Sequence, residues 1–490
     1  MSEPVRRVLL ISFAYPPIGG AGMIRPAKFA KYLPEFGFLP TVLTPERGAG
    51  RFACAPEAGE FPGVTVCRTP YEDVITRVKA RFGMARLNAA RLKPCPTGGG
   101  DAAVGQGFSL ANQQAGQGFP PSRCPETGSA AARPRRSSLE FRGTKAGRLA
   151  RSIRAALYAA ITIPDEHVGW LRHAVTAGRE LLQRDRYDVI FSTSPPETTH
   201  LIARRLKREF NIPWVADLRD LWSGDHYRRR HPVKRRVLKV IERRVLRDAD
   251  AIVTVSEPWR EALARDHGSD RVVCLPHGFD PDDYPTAPPP ASTTFVVSYM
   301  GSLDREFQDP TPFLEAAGDL VRSGEIPREC LRIDFYVFGD DLPDFAALTA
   351  RFGLDGVVTR HASVEYRESL ARQQASTVLL ALQWQSEAGK GNPPLKVFDY
   401  LGARRPILVV GSGEHVLGPL MQDTGSGVVC GTPMAIRETL GRWYREFAET
   451  GRVRWPGSED RLARHTRRAA AKALAGIMEQ VPLRVSRGGR

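Results

Sequence analysis

Short apolar runs, several of them ending in glycine or proline, alternate along this chain with stretches whose apolar residues recur every three or four positions. A buried strand gives the first pattern and an amphipathic helix the second, so their alternation predicts parallel sheets with helices packed on both faces. In the first half, strands are predicted at Val8 to Ser12, Thr41 to Thr44, Val64 to Arg68, Val189 to Ser192, in a run ending at Asp217, at Ala251 to Val255 and at Val272 to Pro276. In the second half they are predicted at Phe295 to Met300, Ile333 to Phe338, Val357 to His361, Val378 to Leu382 and Ile407 to Val410. Helical spacing marks Pro26 to Leu33, and Val233, Val237, Ile241 and Val245 form a stripe that predicts a helix packed on the core.

The proline-rich run PDDYPTAPPPAST separates the two halves and reads as a linker. The expected organisation is a Rossmann-like domain over residues 1–280, a linker over 281–293, and a second Rossmann-like domain over 294–460. A C-terminal helix with a basic tail is expected over 461–490. Between Cys95 and Arg136, eight glycines and five prolines stand among hardly any aliphatic side chains, which predicts a disordered insertion across about 95–140. Two domains also suit the size, since 490 residues with 42% hydrophobic content exceed what one core takes.

Seven cysteines without CxxC spacing read as free thiols and exclude a zinc or disulfide framework. No apolar run is long enough for a membrane span, and the first strand pattern begins within ten residues of the start, so a cytoplasmic protein without a signal peptide is expected. The net charge of +16 is concentrated. Residues 133–154 carry eight basic groups and one acidic, and residues 228–247 carry ten and one. In the first cluster Leu149, Ile153 and Leu157 recur beside Arg148, Arg151 and Arg154, which suits a helix on a membrane surface or one packed on the domain with a solvated basic face. Nucleic-acid binding is not expected, because no basic motif is interleaved with aromatics.

Candidate chemistry gathers in two stretches. FAYPPIGGAG follows the first strand, and Gly19, Gly20 and Gly22 let the backbone approach a ligand, with Arg25 at the start of the next helix. Arg25 stands where a third glycine would complete a dinucleotide fingerprint, which counts against a nicotinamide cofactor. EAGKGNPPLKVFDYLGARRPILVVG predicts a loop, a helix capped by Asn392 with Pro393 as its first residue, and a strand. The free N–H groups of that helix start, with Lys390 before it and Lys396 in its first turn, form an anion site, and Asp399 is placed to accept hydrogen bonds from sugar hydroxyls. Asp217, Arg219 and Asp220 lie at the carboxyl end of a predicted strand, where ligands of open α/β sheets collect.

In order along the chain, VLLISFAYPPIGGAG, IPDEHVGW, DVIFSTSPPETTH, IPWVADLRDLW, DADAIVTVSE, CLPHGFD and PPLKVFDYLGARRPIL resemble the GT-B glycosyltransferases, specifically the retaining family numbered 4, also called group 1. The resemblance covers nearly the whole chain outside the insertion. It implies a nucleotide diphosphate sugar as substrate, with an acceptor on the first domain. No metal or cofactor is expected if Arg305, Lys390 and Lys396 supply the charge, and the motif set with the basic amphipathic stretch near Arg148 suits a saccharide or lipid-linked acceptor presented at a membrane face. By position, Asp399 resembles the second carboxylate of the family's E-x7-E motif, which holds the ribose. Arg305 and Lys390 resemble the diphosphate clamp, with Lys396 a further member, and Gly19 and Gly20 the glycine loop. Asp217, Arg219 and Asp220 stand at the family's catalytic position, Asp220 as the catalytic candidate, with Arg25, Asp217 and Arg219 on the acceptor side. Glu387, Asn392 and Pro394 complete the donor-side set. The chain departs from the pattern at Gly391, where the first motif glutamate is missing or replaced by Glu387, and at Pro310, where a lysine is usual. A catalytically silent nucleotide-sugar-binding subunit is the alternative.

Overall fold

The computed structural model describes residues 5–46, 61, 63–72, 162–224, 231–287, 292–304, 307–337, 345–386 and 389–482. The insertion at 95–140, the basic stretch near Arg148, Arg305 and Glu387 lie outside the described residues. The strands and helices that follow all fall in one compact unit.

Its first sheet contains β1 (Arg6–Ser12), β2 (Phe38–Pro45), β3 (Thr65–Thr69), β4 (Val189–Ser194), β5 (Trp214–Leu218), β6 (Ala251–Thr254) and β7 (Val272–Cys274). Its strands run in the order β3-β2-β1-β4-β5-β6-β7 and every pair is parallel. The second sheet contains β8 (Phe295–Gly301), β9 (Leu331–Val337), β10 (Val358–Ala362), β11 (Val378–Leu382), β12 (Ile407–Val410) and β13 (Gly427–Cys430). These too are all parallel, in the order β10-β9-β8-β11-β12-β13. Val8 to Ile11 are fully buried because helices cover both faces of the strand, which is why the run is apolar without alternation. The short edge strand β13 has no signal in the sequence beyond two valines after a glycine.

Helices α1 (Ala21–Tyr32), α2 (Leu171–Arg184), α3 (Thr198–Phe210), α4 (Pro232–Leu246) and α5 (Glu257–His267) flank the first sheet. The second carries α6 (Thr311–Arg322), α7 (Phe345–Arg351), α8 (Tyr366–Ala375), α9 (Leu395–Ala403), α10 (Leu417–Thr424) and α11 (Pro433–Thr450). The short α12 (Glu459–Leu462) leads to α13 (Arg467–Gln480). This last helix returns to the first domain, where Ala471, Leu474 and Met478 share a core with Val8, Leu10, Phe29 and Leu33. None of the described helices is long and apolar enough to cross a membrane.

Three local expectations are corrected. Helix α1 begins at Ala21, five residues before the predicted start, so Pro26 lies inside it. A proline has no N–H for the carbonyl four residues back, and that carbonyl, Gly22 O, accepts from the Arg219 guanidinium instead. Helix α9 begins at Leu395 with Pro394 as its cap, not at Pro393 with Asn392. Pro394 holds the residue before it out of helical geometry, so Pro393 cannot open the helix. In α4 the buried side chains are Leu238, Glu242, Val245 and Leu246, whereas Val233, Val237 and Val240 face outward.

Candidate functional site

In both sheets the strand order reverses once, between β1 and β4 in the first and between β8 and β11 in the second. Ligands of doubly wound folds bind beyond the carboxyl ends of the strands at such reversals. The loops there belong to FAYPPIGG and Pro195 to Glu197 in the first domain, and to Gly301 to Asp304 and Gln383 onward in the second. The two domains meet close to these loops. Ser256 Oγ donates to the Gly391 carbonyl at 2.6 Å, and His277, after β7, packs edge-on against Phe398 of α9 with ring centres 5.7 Å apart.

On the first domain's side the predicted residues are tied to one another. Arg25 is 2% exposed and donates to both carboxylate oxygens of the fully buried Asp217, at 3.1 and 3.0 Å, and to the carbonyls of Leu275 and Pro276. Thr193 Oγ1 donates to Asp217 Oδ2 at 2.7 Å. Both groups were expected to face an acceptor, and the structure directs them at each other, because a buried arginine and a buried carboxylate must satisfy their charges locally. Arg219 donates to the carbonyls of Ser194 at 2.9 Å, Pro195 at 2.9 Å and Gly22. It fastens the first turn of α1 to the end of β4 and the loop after it, forms no salt bridge among the described residues, and burial pulls its pKa down against the charges of Asp217 and Asp220. Gly20 takes φ 102°, a conformation that favours glycine, and opens α1 at the surface beside the buried Gly19. Asp220 is half-buried just past β5.

On the second domain's side Lys396 occupies the first turn of α9 against the end of β8. Its Nζ lies 3.8 Å from the centre of the Tyr299 ring, donates to the Tyr299 hydroxyl and reaches the Ser302 carbonyl at 3.4 Å. No carboxylate pairs with it among the described residues. Burial pulls this ammonium down to about 7, which leaves it poised to gain from a bound anion. A Cβ on Gly301, which has φ 110°, would meet the Lys396 chain at 3.4 Å, so the lysine lies directly against the strand end. Lys390 is half-buried and pairs with Glu414 at 3.0 Å, a contact of small energetic weight. Asn392 is buried in a turn in which its N–H donates to the Gly389 carbonyl at 2.9 Å. A Cβ at Gly391 would lie 2.6 Å from the Trp259 ring and 3.2 Å from Pro258, so the first domain fills the space where a side chain at this position would stand.

Asp399 is 6% exposed and sits on the inner face of α9. Tyr366 Oη donates to its Oδ1 at 3.2 Å, and Tyr284 Oη donates to its backbone carbonyl. Burial pushes this carboxyl up to about 7, opposed by Arg467 and by the Tyr366 hydrogen bond. Arg467 opens α13; its backbone N–H donates to the Phe279 carbonyl at 2.7 Å, while both terminal nitrogens of its guanidinium are buried without a hydrogen-bond partner among the described residues. Arg467 lies close enough to act on Asp399, Tyr366, Asp283 and Arg25. His277 is pushed well below its usual range by burial and by the combined charge of Arg25, Arg467 and Arg219. Sequence reasoning missed Arg467, His277 and Tyr366. CLPHGFD marked the loop of His277, but no local pattern announces that an arginine far along the chain folds back against it.

Among the described residues no salt bridge involves Lys396, Arg219 or Arg467, although Asp217 and Asp220 act on Arg219 and Asp399 and Asp283 act on Arg467. A cation without a salt-bridge partner gains from a bound anion. The described residues contain no group of three or more histidine, cysteine, aspartate or glutamate side chains placed to hold a metal ion.

Residues 110–278 match the model of a glycosyl transferase 4-like domain. That match spans about a third of the chain and supports a sugar-transferring role. Among solved structures, the chain is similar to sucrose-phosphate synthase of Thermosynechococcus elongatus, with TM-score 0.55 and 14% identity over 97% of this chain and 98% of that one. It is also similar to HepE of Anabaena in complex with UDP and glucose, with TM-score 0.54 and 10% identity over 97% and 99%. The N-terminal domain of Candida albicans trehalose-6-phosphate phosphatase gives TM-score 0.54 and 10% identity over 96% of both chains. At these identities the likeness establishes the fold, two parallel-sheet domains in the GT-B arrangement. A comparison with curated protein sequences found no match.

Proposed function

We propose that this protein transfers a sugar from a nucleotide diphosphate sugar to a hydroxyl of a saccharide or lipid-linked acceptor, with retention at the anomeric carbon. The observation that carries the reading is Lys396, a cation without a carboxylate partner among the described residues, in the first turn of α9 beside the carboxyl end of β8 at the reversal of the second sheet. A diphosphate at this position would meet that ammonium and the free N–H groups of the helix start. Asp399 would hold a nucleotide ribose once the crevice opens to it, and Arg467 would supply a second cation.

The chemistry follows from where charge develops. As the bond from the anomeric carbon to the diphosphate oxygen breaks, its electron pair stays on that oxygen. The acceptor oxygen bonds to the same face of the carbon, and its proton passes to the departing diphosphate. Cations fixed near the leaving group lower the barrier because their reorganisation is complete before the reaction starts, and loss of one such contact costs about 10² to 10³ in rate. Lys396, Arg467 and Lys390 supply the charge, so the reaction is expected to run without added metal. Arg219 is assigned to positioning, since its donors are taken up by the carbonyls of both loops it joins.

A second reading, a binding subunit without turnover, is favoured by the Trp259 ring standing where a side chain at position 391 would reach the sugar. Release of nucleoside diphosphate from a panel of nucleotide sugars, with and without EDTA, tests both. Turnover that survives EDTA and falls about 10²-fold or more in Lys396→Met supports the transferase. Binding without release supports the silent subunit, and neither binding nor release overturns both.

A further inference from the structure

Helix α4 packs on the first domain through Leu238, Val245 and Leu246, each at most 2% exposed, and through Glu242, whose carboxylate accepts from the Ser223 N–H at 2.8 Å. At about 100° per residue, Val233, Val237 and Val240 fall within roughly 60° of one another on the opposite side. They are 59%, 40% and 66% exposed, and they make up half of the six strongly exposed large hydrophobic side chains among the described residues. Arg236, Arg244 and Arg247 share that side, are exposed, and have no acidic partner among the described residues. Lys239 and Arg243, further round, pair with Asp266. The helix's one acidic residue is the buried Glu242.

We propose that this face of α4 docks on the surface of a bilayer containing anionic lipid. A valine stripe bordered by arginines lets the apolar groups enter the headgroup boundary while the guanidinium groups pair with phosphates. The arrangement disfavours the other occupants. A second copy would bring the same positive face against itself, and a nucleic acid would use the arginines but leave the valines in water. Neither set suffices alone, because three valines bury little area and surface charge is screened by salt. Helix α4 follows β5, so its first turn lies on the side of the sheet where the strands' carboxyl ends and the candidate site are found. Docking there would present the site to an acceptor anchored in the same membrane, an advantage that rests on the transferase reading, whereas the docking itself does not.

Vesicle flotation of the full chain tests it. Vesicles of phosphatidylcholine with phosphatidylglycerol are expected to carry the protein, and pure phosphatidylcholine vesicles are not. Two variants separate the contributions: Val233→Ser with Val237→Ser and Val240→Ser, and Arg236→Ser with Arg244→Ser and Arg247→Ser. Each is expected to weaken flotation tenfold or more with an unchanged melting temperature, and both should keep the thermal shift caused by a nucleotide diphosphate sugar. A valine variant that floats like the wild type overturns the proposal, as does arginine-dependent binding to an RNA oligonucleotide that the valine variant retains. So does a valine variant that melts several degrees lower, because the stripe would then be covered by the protein's own chain. A lost nucleotide shift in the wild type, with flotation intact, would count against the transferase alone.

Discussion

Lys396 is protonated below about 7 and neutral above it, because burial opposes its charge. The diphosphate of a nucleotide sugar keeps its charge across neutral pH, so only the protonated lysine attracts it. Affinity for the nucleotide sugar is therefore expected to fall as pH rises from about 6 to about 8, and the slope should vanish in Lys396→Met. Calorimetric titration at three pH values reads this directly; a wild type with flat affinity would remove Lys396 from the site. Arg467 allows a test of the opposite kind. Both terminal nitrogens of its guanidinium are buried without a hydrogen-bond partner among the described residues, an arrangement that costs stability. Arg467→Met is expected to leave the urea midpoint unchanged or raised while weakening nucleotide-sugar binding, whereas a structural arginine would lower the midpoint and spare binding. The Arg25 and Asp217 pair illustrates how far single residues are legible. Their types and strand-end position were readable, but whether two charged groups face a ligand or each other depends on the distance between α1 and β5, which no local pattern encodes.

Helix α9 shows the same limit for elements. Its existence was legible from the order of loop, proline-opened helix and apolar strand in EAGKGNPPLKVFDYLGARRPILVVG. Its start was misread by two residues, since the effect of Pro394 on Pro393 outweighs the capping preference of Asn392. In α4 the spacing predicts a buried stripe of Val233, Val237, Ile241 and Val245. Val245 is in the core and Ile241 packs against it, whereas Val233 and Val237 face outward and Leu238 and Leu246 are buried in their place, because periodicity alone cannot distinguish two apolar faces of one helix. The strands were easier, because sequences buried on both faces carry unbroken apolar runs, and only the four-residue edge strand β13 escaped. The contact between α5 and the loop before α9 yields a further expectation. A Cβ at Gly391 would stand 2.6 Å from Trp259, so Gly391→Ala should destabilise the protein by about 1 to 3 kcal/mol. Adding Trp259→Ala should recover part of that loss in a double-mutant cycle followed by urea denaturation, and strictly additive losses would show that the two do not touch.

At the scale of the molecule, the two-domain alternation was legible because each sheet repeats the same order of strand, loop and helix. The return of α13 was not, since an amphipathic tail helix gives no sign of which domain it covers. Ala471, Leu474 and Met478 close the apolar face of the first domain beside Phe29 and Leu33. Ending the chain after residue 466 is expected to expose that core and lower the melting temperature by several degrees or abolish soluble expression, and a truncated protein that melts like the full chain would contradict this. The account as a whole depends on a pyrophosphate held between the two domains by cations, foremost Lys396, which has no paired carboxylate among the described residues. Calorimetric titration of the intact protein with UDP, GDP and ADP tests that claim most directly. One of the three is expected to bind at a single site, with affinity at least tenfold weaker in Lys396→Met; no heat from any of them, or equal affinity in the variant, would contradict it.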